Sequence, residues 1–104
     1  MVISHTFRCR SEIESVLGCW ERCEMSHLLS LPYTLATITE VQRLARVAPM
    51  SLIHSLTKST KVEEYTYPEG SLFTVNLSWI THNPHNFENP SEFDPLRWIG
   101  PDGK

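Results

Sequence analysis

The sequence has no long apolar run. None of its 104 residues lies in a stretch of spanning length, and its opening, "MVISHTFRCR", lacks the apolar segment of a signal peptide. No membrane span or secretory leader is therefore expected within it. There is no surplus of positive charge either. Nine Lys and Arg stand against twelve Asp and Glu, a net charge of −3, which leaves no electrostatic case for nucleic acid or an anionic membrane surface. Cysteines number three, an odd count that does not suggest a disulfide framework and favours a reducing compartment. Two catalytic signatures are also missing. No Gly-x-Ser-x-Gly elbow supports a hydrolase, and no glycine-rich loop cradles a phosphate, since "PEGS" is only a turn. What remains is ordinary: 40% hydrophobic and 20% charged residues, enough for a packed core in one domain or a piece of one.

Periodicity divides the chain. "SEIESVL" predicts a helix from about Ser11 to Leu17, with Ile13, Val16 and Leu17 on one face and Gly18 as its stop. A short helical piece is expected near Met25 to Leu29. "LPYTLATITEVQRLARVAP" carries the strongest helical pattern: Thr34 is placed to cap it, Leu35, Ile38, Val41, Leu44, Ala45 and Ala48 fall on one arc, and Pro49 ends it. After Pro49 the period turns extended. "MSLIHSL", "TKVEEYTY" and "SLFTVNL" read as short strands, with Pro68 and Gly70 at positions a type I turn favours and the pair Glu63–Glu64 as a solvated strand edge. Asn76 is a candidate cap for a short helix, "LSWITH", although Phe73, Val75, Leu77 and Trp79 also alternate as a strand would. The rest is coil punctuated by proline, including three Asx-Pro steps in "NPHNFENPSEFDP".

Glu40 and Arg43 stand one turn apart on the strong helix. Such a pair is commonly a solvated surface contact worth roughly 0.2–0.5 kcal/mol. The helical wheel argues otherwise here. At about 100° per residue the two flank Ala36 and Val47, while Thr39, Gln42 and Arg46 form a separate, more polar arc. The helix thus has two faces to bury, and the ion pair lies in the second. A buried guanidinium has five donors to satisfy, more than one carboxylate needs. Arg97, between Leu96 and Trp98, is the further partner expected, on a segment stiffened by Pro90 and Pro95 and anchored by burial of Phe93 and Trp98.

Together, "TEVQRLA", "APMSLIH", "YTYPEGSLFTVNLSWITHNP" and "FENPSEFDPLRW" resemble the microsomal cytochrome P-450 family, the haem-thiolate monooxygenases. Their order and spacing follow the C-terminal half of that family from Leu31 to Trp98, and "EIESVLG" fits the preceding helix. The resemblance implies an α+β piece of a mainly α fold. Residues 1–30 make a helical lead-in, 31–48 the Glu-x-x-Arg helix, 49–77 a β region, and 78–104 a short helix with the Phe-x-Pro-x-Arg coil. It implies that Glu40, Arg43 and Arg97 form a structural triad behind the haem and perform no chemical step. His54 matches the residue that bonds a haem propionate, and Val47, Ala48, Ser51 and Leu52 match a segment lining the substrate pocket. Without the resemblance, His54 reads as an ordinary half-exposed histidine and the other four as core packing.

The departures matter as much. Glu64 and Tyr67 occupy family glycine and isoleucine positions at the hairpin. The haem-ligand loop, Phe-x-x-Gly-x-x-x-Cys-x-Gly, does not occur in these residues, nor do the oxygen-activating helix and the N-terminal membrane anchor. Cys9, Cys19 and Cys23 all precede the strong helix and lack the neighbours that hold a thiolate on iron. Cys19, Cys23 and His27 recur at steps of four, as do His5 and Cys9, but this is not the spacing of a common zinc module, and accidental clustering is the favoured reading. The expectation is a fragment of a haem-dependent monooxygenase that acts, when whole, on small lipophilic substrates with a reductase partner at the endoplasmic reticulum membrane. These residues alone are not expected to hold haem stably, to catalyse, or to fold cooperatively. The competing expectation is a truncated, non-catalytic module whose exposed apolar faces bind a partner.

Overall fold

A computed structural model describes residues 2–18 and 21–101. It divides into two compact units, residues 1–45 with 91–104 and residues 46–90. Helices combine with short antiparallel strands, as the α+β expectation requires.

In the first unit, α1 (Val2–Leu17) begins well before the predicted Ser11. Tertiary contacts carry it through a segment whose own pattern is weak. The His5 Nδ1 lies 2.6 Å from the Tyr33 hydroxyl, the Arg8 guanidinium sits 4.2 Å from the centre of the Tyr33 ring, and the Cys9 thiol reaches the Thr37 hydroxyl at 3.4 Å. Gly18 does end the helix. Its N–H donates to the Glu14 carbonyl, and its φ of +67° is one that side chains with a Cβ rarely adopt. The predicted piece after it is a 3₁₀ turn, Met25–Ser30, opened by a reciprocal cap between Glu24 and His27.

α2 (Pro32–Ala45) starts on Pro32, and Thr34 does not cap it. Leu31 accepts its first backbone bond but has no side-chain oxygen to offer the orphan N–H groups. Glu12 of α1 supplies two. Its carboxylate accepts from the Tyr33 N–H at 2.9 Å, the Thr34 N–H at 2.7 Å and the Thr34 hydroxyl at 2.6 Å. One carboxylate thus caps α2 and ties it to α1. Replacing Glu12 with Ala is expected to cost about 1–2 kcal/mol, read as faster amide exchange in the first turn of α2 with its last turn unaffected. The far end also differs from expectation. α2 stops at Ala45, because Arg46 takes a φ of +50°, the left-handed conformation in which helices commonly end.

The buried face of α2 is the second of the two expected: Tyr33, Ala36, Glu40 and Arg43. Of the predicted apolar arc, Leu35 and Leu44 are half-buried, while Ile38, Val41, Ala45 and Ala48 are exposed. Ala48 lies beyond the helix, and the elements packed on α2, namely α1, the 3₁₀ turns and the C-terminal segment, engage the charged side instead. Among the described residues the buried apolar side chains are few, namely Leu17, Leu31, Tyr33, Ala36 and Pro95. The isolated chain is therefore expected to melt over a broad range and to bind a hydrophobic dye; a sharp two-state melt with no dye uptake contradicts this.

In the second unit, β1 (His54–Ser55) pairs antiparallel with β4 (Leu72–Phe73), and β2 (Thr60–Val62) with β3 (Tyr65–Tyr67). The stretch read as one strand, "TKVEEYTY", is a hairpin. It folds back at Glu63–Glu64, both exposed, and Glu63 takes the positive φ, +54°, that the first loop residue of a two-residue hairpin needs. The Pro68–Ser71 turn is type II rather than type I: Ser71 N–H donates to the Pro68 carbonyl, and Gly70, at the third position, has a φ of +81°. The ambiguous segment resolves as a helix, α3 (Leu77–His82), capped by the Asn76 side chain, which accepts from Trp79 N–H at 2.9 Å.

Candidate functional site

The C-terminal segment is shaped before it meets α2. Asp94 turns its carboxylate back to accept from Leu96 N–H at 3.0 Å, opening a short 3₁₀ turn, Pro95–Trp98, with proline at its first position. Pro95 is fully buried, and Phe93 packs its ring edge-on against His5 at 5.2 Å. Both fix the segment against the helical unit with little chain entropy left to lose.

This brings Arg97 to Glu40. The Glu40 carboxylate is 0% exposed. Arg43 grips it side-on, Nε donating to Oε2 and Nη2 to Oε1, both at 2.8 Å. Arg97 Nε donates to Oε1 at 3.1 Å. Two further donors were not foreseen: the backbone N–H of Asp94, 3.0 Å from Oε1, and the indole N–H of Trp98, 2.9 Å from Oε2. Both arginines also donate to one carbonyl, that of Glu92, through Arg43 Nη2 at 3.1 Å and Arg97 Nη2 at 3.4 Å. Among the described residues no buried side-chain nitrogen or oxygen lacks a partner. Trp98 was expected to anchor by burial; it is 38% exposed, and its polar edge makes the contact instead.

The electrostatics follow from this geometry. Burial pushes the Glu40 carboxyl up, because a charge in a dry site is costly. The donors oppose it, Arg43 first, then Asp94 N–H and Trp98, with the charge of Arg43 adding to them. Their sum holds the carboxyl at about 2. A carboxylate so saturated binds and orients its neighbours and has no lone pair free for proton transfer to a substrate.

The remaining candidates belong to the second unit. His54 is exposed on β1, its ring stacked on Phe73 at 5.5 Å. Val47 is 87% exposed and Leu52 76%, Ala48 is exposed, and Ser51 is half-buried with a φ of +56°. Of the cysteine and histidine cluster, Cys19 lies outside the described residues. Cys23 is exposed, and the His27 ring accepts from Glu24 N–H at 3.1 Å. Among the described residues no group of three potential metal ligands converges, and no helix is long and apolar enough to cross a membrane.

Comparison with known proteins gives this arrangement its class. The family description "Cytochrome P450" matches residues 4–104. The chain therefore belongs to the cytochrome P450 family, whose members are haem-dependent monooxygenases. It is 34% identical over 97 residues to cytochrome P450 2U1 of Mus musculus, covering 93% of this chain and 18% of that protein. It is 37% identical over 97 residues to cytochrome P450 2S1 of Mus musculus, covering 93% and 19%. A third relative, cytochrome P450 2J1 of Oryctolagus cuniculus, is 34% identical over 92 residues, covering 88% and 18%. The chain thus spans about a fifth of the length of these relatives.

The residues present meet a haem only in part. His54 offers an exposed ring that suits a carboxylate. Of the described cysteines, Cys9 on α1 donates its thiol to the Thr37 hydroxyl on α2, and Cys23 stands exposed before the 3₁₀ turn.

Proposed function

We propose that these residues form part of the frame behind the haem in a haem-thiolate monooxygenase of the endoplasmic reticulum membrane. The whole enzyme would insert one oxygen atom from O2 into small lipophilic substrates, using electrons from a reductase. The observation that carries this reading is the saturated Glu40 carboxylate, which clamps α2 to the Pro95–Trp98 turn through Arg43 and Arg97. In this role Glu40, Arg43 and Arg97 are structural. His54 holds a haem propionate, and Val47, Ala48, Ser51 and Leu52 line the substrate pocket once covered; their exposure here suits faces that meet other parts of the enzyme.

On this reading the 104 residues alone do not catalyse, because the thiolate that promotes O–O cleavage is not supplied by Cys9, Cys19 or Cys23. Haem added to the chain under carbon monoxide is expected to give no thiolate-type Soret band; its appearance means one of those cysteines binds iron. The frame role is tested in a chimera, with residues 4–101 replacing the matching segment of Mus musculus cytochrome P450 2S1. The chimera is expected to show the thiolate-type band and to lose most of it on Glu40→Ala. An undiminished band in that variant overturns the proposal.

A further inference from the structure

We infer that Trp98 is a positioning residue for Glu40 through its indole N–H, and that the bulk of its ring is secondary. The inference rests on the geometry of the carboxylate cluster and not on the haem reading, so either can fail without the other.

The ring is far less buried than the partner it reaches. Trp98 is 38% exposed, a modest anchor for so large a side chain, yet its nitrogen lies 2.9 Å from an oxygen of a carboxylate that is 0% exposed. The two oxygens are served differently. Oε1 accepts from Arg43 Nη2, Arg97 Nε and Asp94 N–H; Oε2 accepts from Arg43 Nε and Trp98 Nε1. The donors on Oε1 draw the carboxylate towards the C-terminal segment. From that segment Trp98 donates to Oε2. It opposes rotation of the group about its terminal bond and keeps Arg43 side-on, the arrangement in which a planar guanidinium pairs best. Phenylalanine offers much of the ring contact but no donor. Its indole edge removed, Oε2 loses a charge-assisted bond at a site where water is excluded, and such bonds are roughly twice as strong as neutral ones.

The groups facing Glu40 are Arg43 from its own helix and Arg97, Asp94 N–H and Trp98 from the C-terminal segment, so the reporter is the carboxyl itself. Its pH midpoint is followed by the carbon-13 resonance of the Glu40 side-chain carboxyl. Two changes are made at position 98: Trp98→Phe, and the benzothienyl analogue of tryptophan, which keeps the fused ring but replaces N–H with sulfur. The analogue is expected to raise the midpoint by about one pH unit, as loss of one charge-assisted bond requires, and Trp98→Phe by at least as much. In the unmodified chain the Trp98 indole proton is expected to exchange at least tenfold more slowly than that of Trp79, which is 64% exposed. An analogue that titrates like tryptophan assigns the effect to ring packing and overturns the inference. So does a Trp98 indole proton that exchanges as fast as that of Trp79, a result that stands even if both variants fail to fold.

Discussion

Glu40→Ala is expected to release residues 91–101 from α2. Removing the carboxylate leaves the Arg43 side chain, 2% exposed, and the Arg97 side chain, 13% exposed, facing each other without an anion between them. Breaking a buried pair from one side typically costs 3–5 kcal/mol, a factor of roughly 10² to 10⁴ in the opening equilibrium. The few buried apolar side chains of this unit offer little to offset it. Amide exchange at Asp94 should therefore rise to the unprotected rate, and a protease should cut near Glu92 where it does not cut the parent chain. Changing both Glu40 and Arg43 to Leu is expected to harm α2 less than Glu40→Ala alone, because no charge is then stranded on the helix. Equal damage from the two would mean that packing volume, not charge, governs the site.

Acid is expected to act through the same group. The Glu40 carboxyl has an ordinary value of 4.5 and is held at about 2 in the fold, so the folded state binds its proton less readily than the unfolded state. A depressed value of this kind contributes stability that is fully present above about 4.5 and is lost as pH falls towards 2. The difference corresponds to roughly 3 kcal/mol. Lowering the pH from 5 to 2 should weaken protection of Asp94 N–H steeply, while raising it from 5 to 8 should change protection little on this account. The same titration in Glu40→Gln should lose the steep limb. A Glu40→Gln chain with an unchanged acid profile would assign the effect to other carboxyls.

Much of this cluster was legible in the sequence, and the limits of that legibility have physical causes. Glu40 and Arg43 could be placed on a buried side because helical spacing fixes where side chains point, and the guanidinium's surplus of donors called for another partner. Arg97 met that need. Asp94 N–H and the Glu92 carbonyl could not be read, because every residue carries such groups and only the fold decides which are aimed. Trp98 was read for its ring, although its nitrogen is what reaches Glu40. The start of α1 was missed because Tyr33, Thr37 and Phe93 hold His5, Arg8 and Cys9 in a helix their own pattern does not announce. The hairpin at Glu63–Glu64 was hidden for a related reason: neither residue is a glycine, yet Glu63 adopts a positive φ. The Asn76 cap and the Gly18 stop, both set by local chemistry, were readable where they stand.

The most direct test is hydrogen exchange at the Arg97 side-chain Nε–H, resolved by nitrogen-15 NMR and compared with Arg22, which is exposed. The bond from Arg97 to Glu40 predicts an Nε–H that exchanges at least tenfold more slowly than that of Arg22 and loses this protection in Glu40→Ala. Equal exchange at the two arginines, or protection at Arg97 that survives Glu40→Ala, would contradict the account.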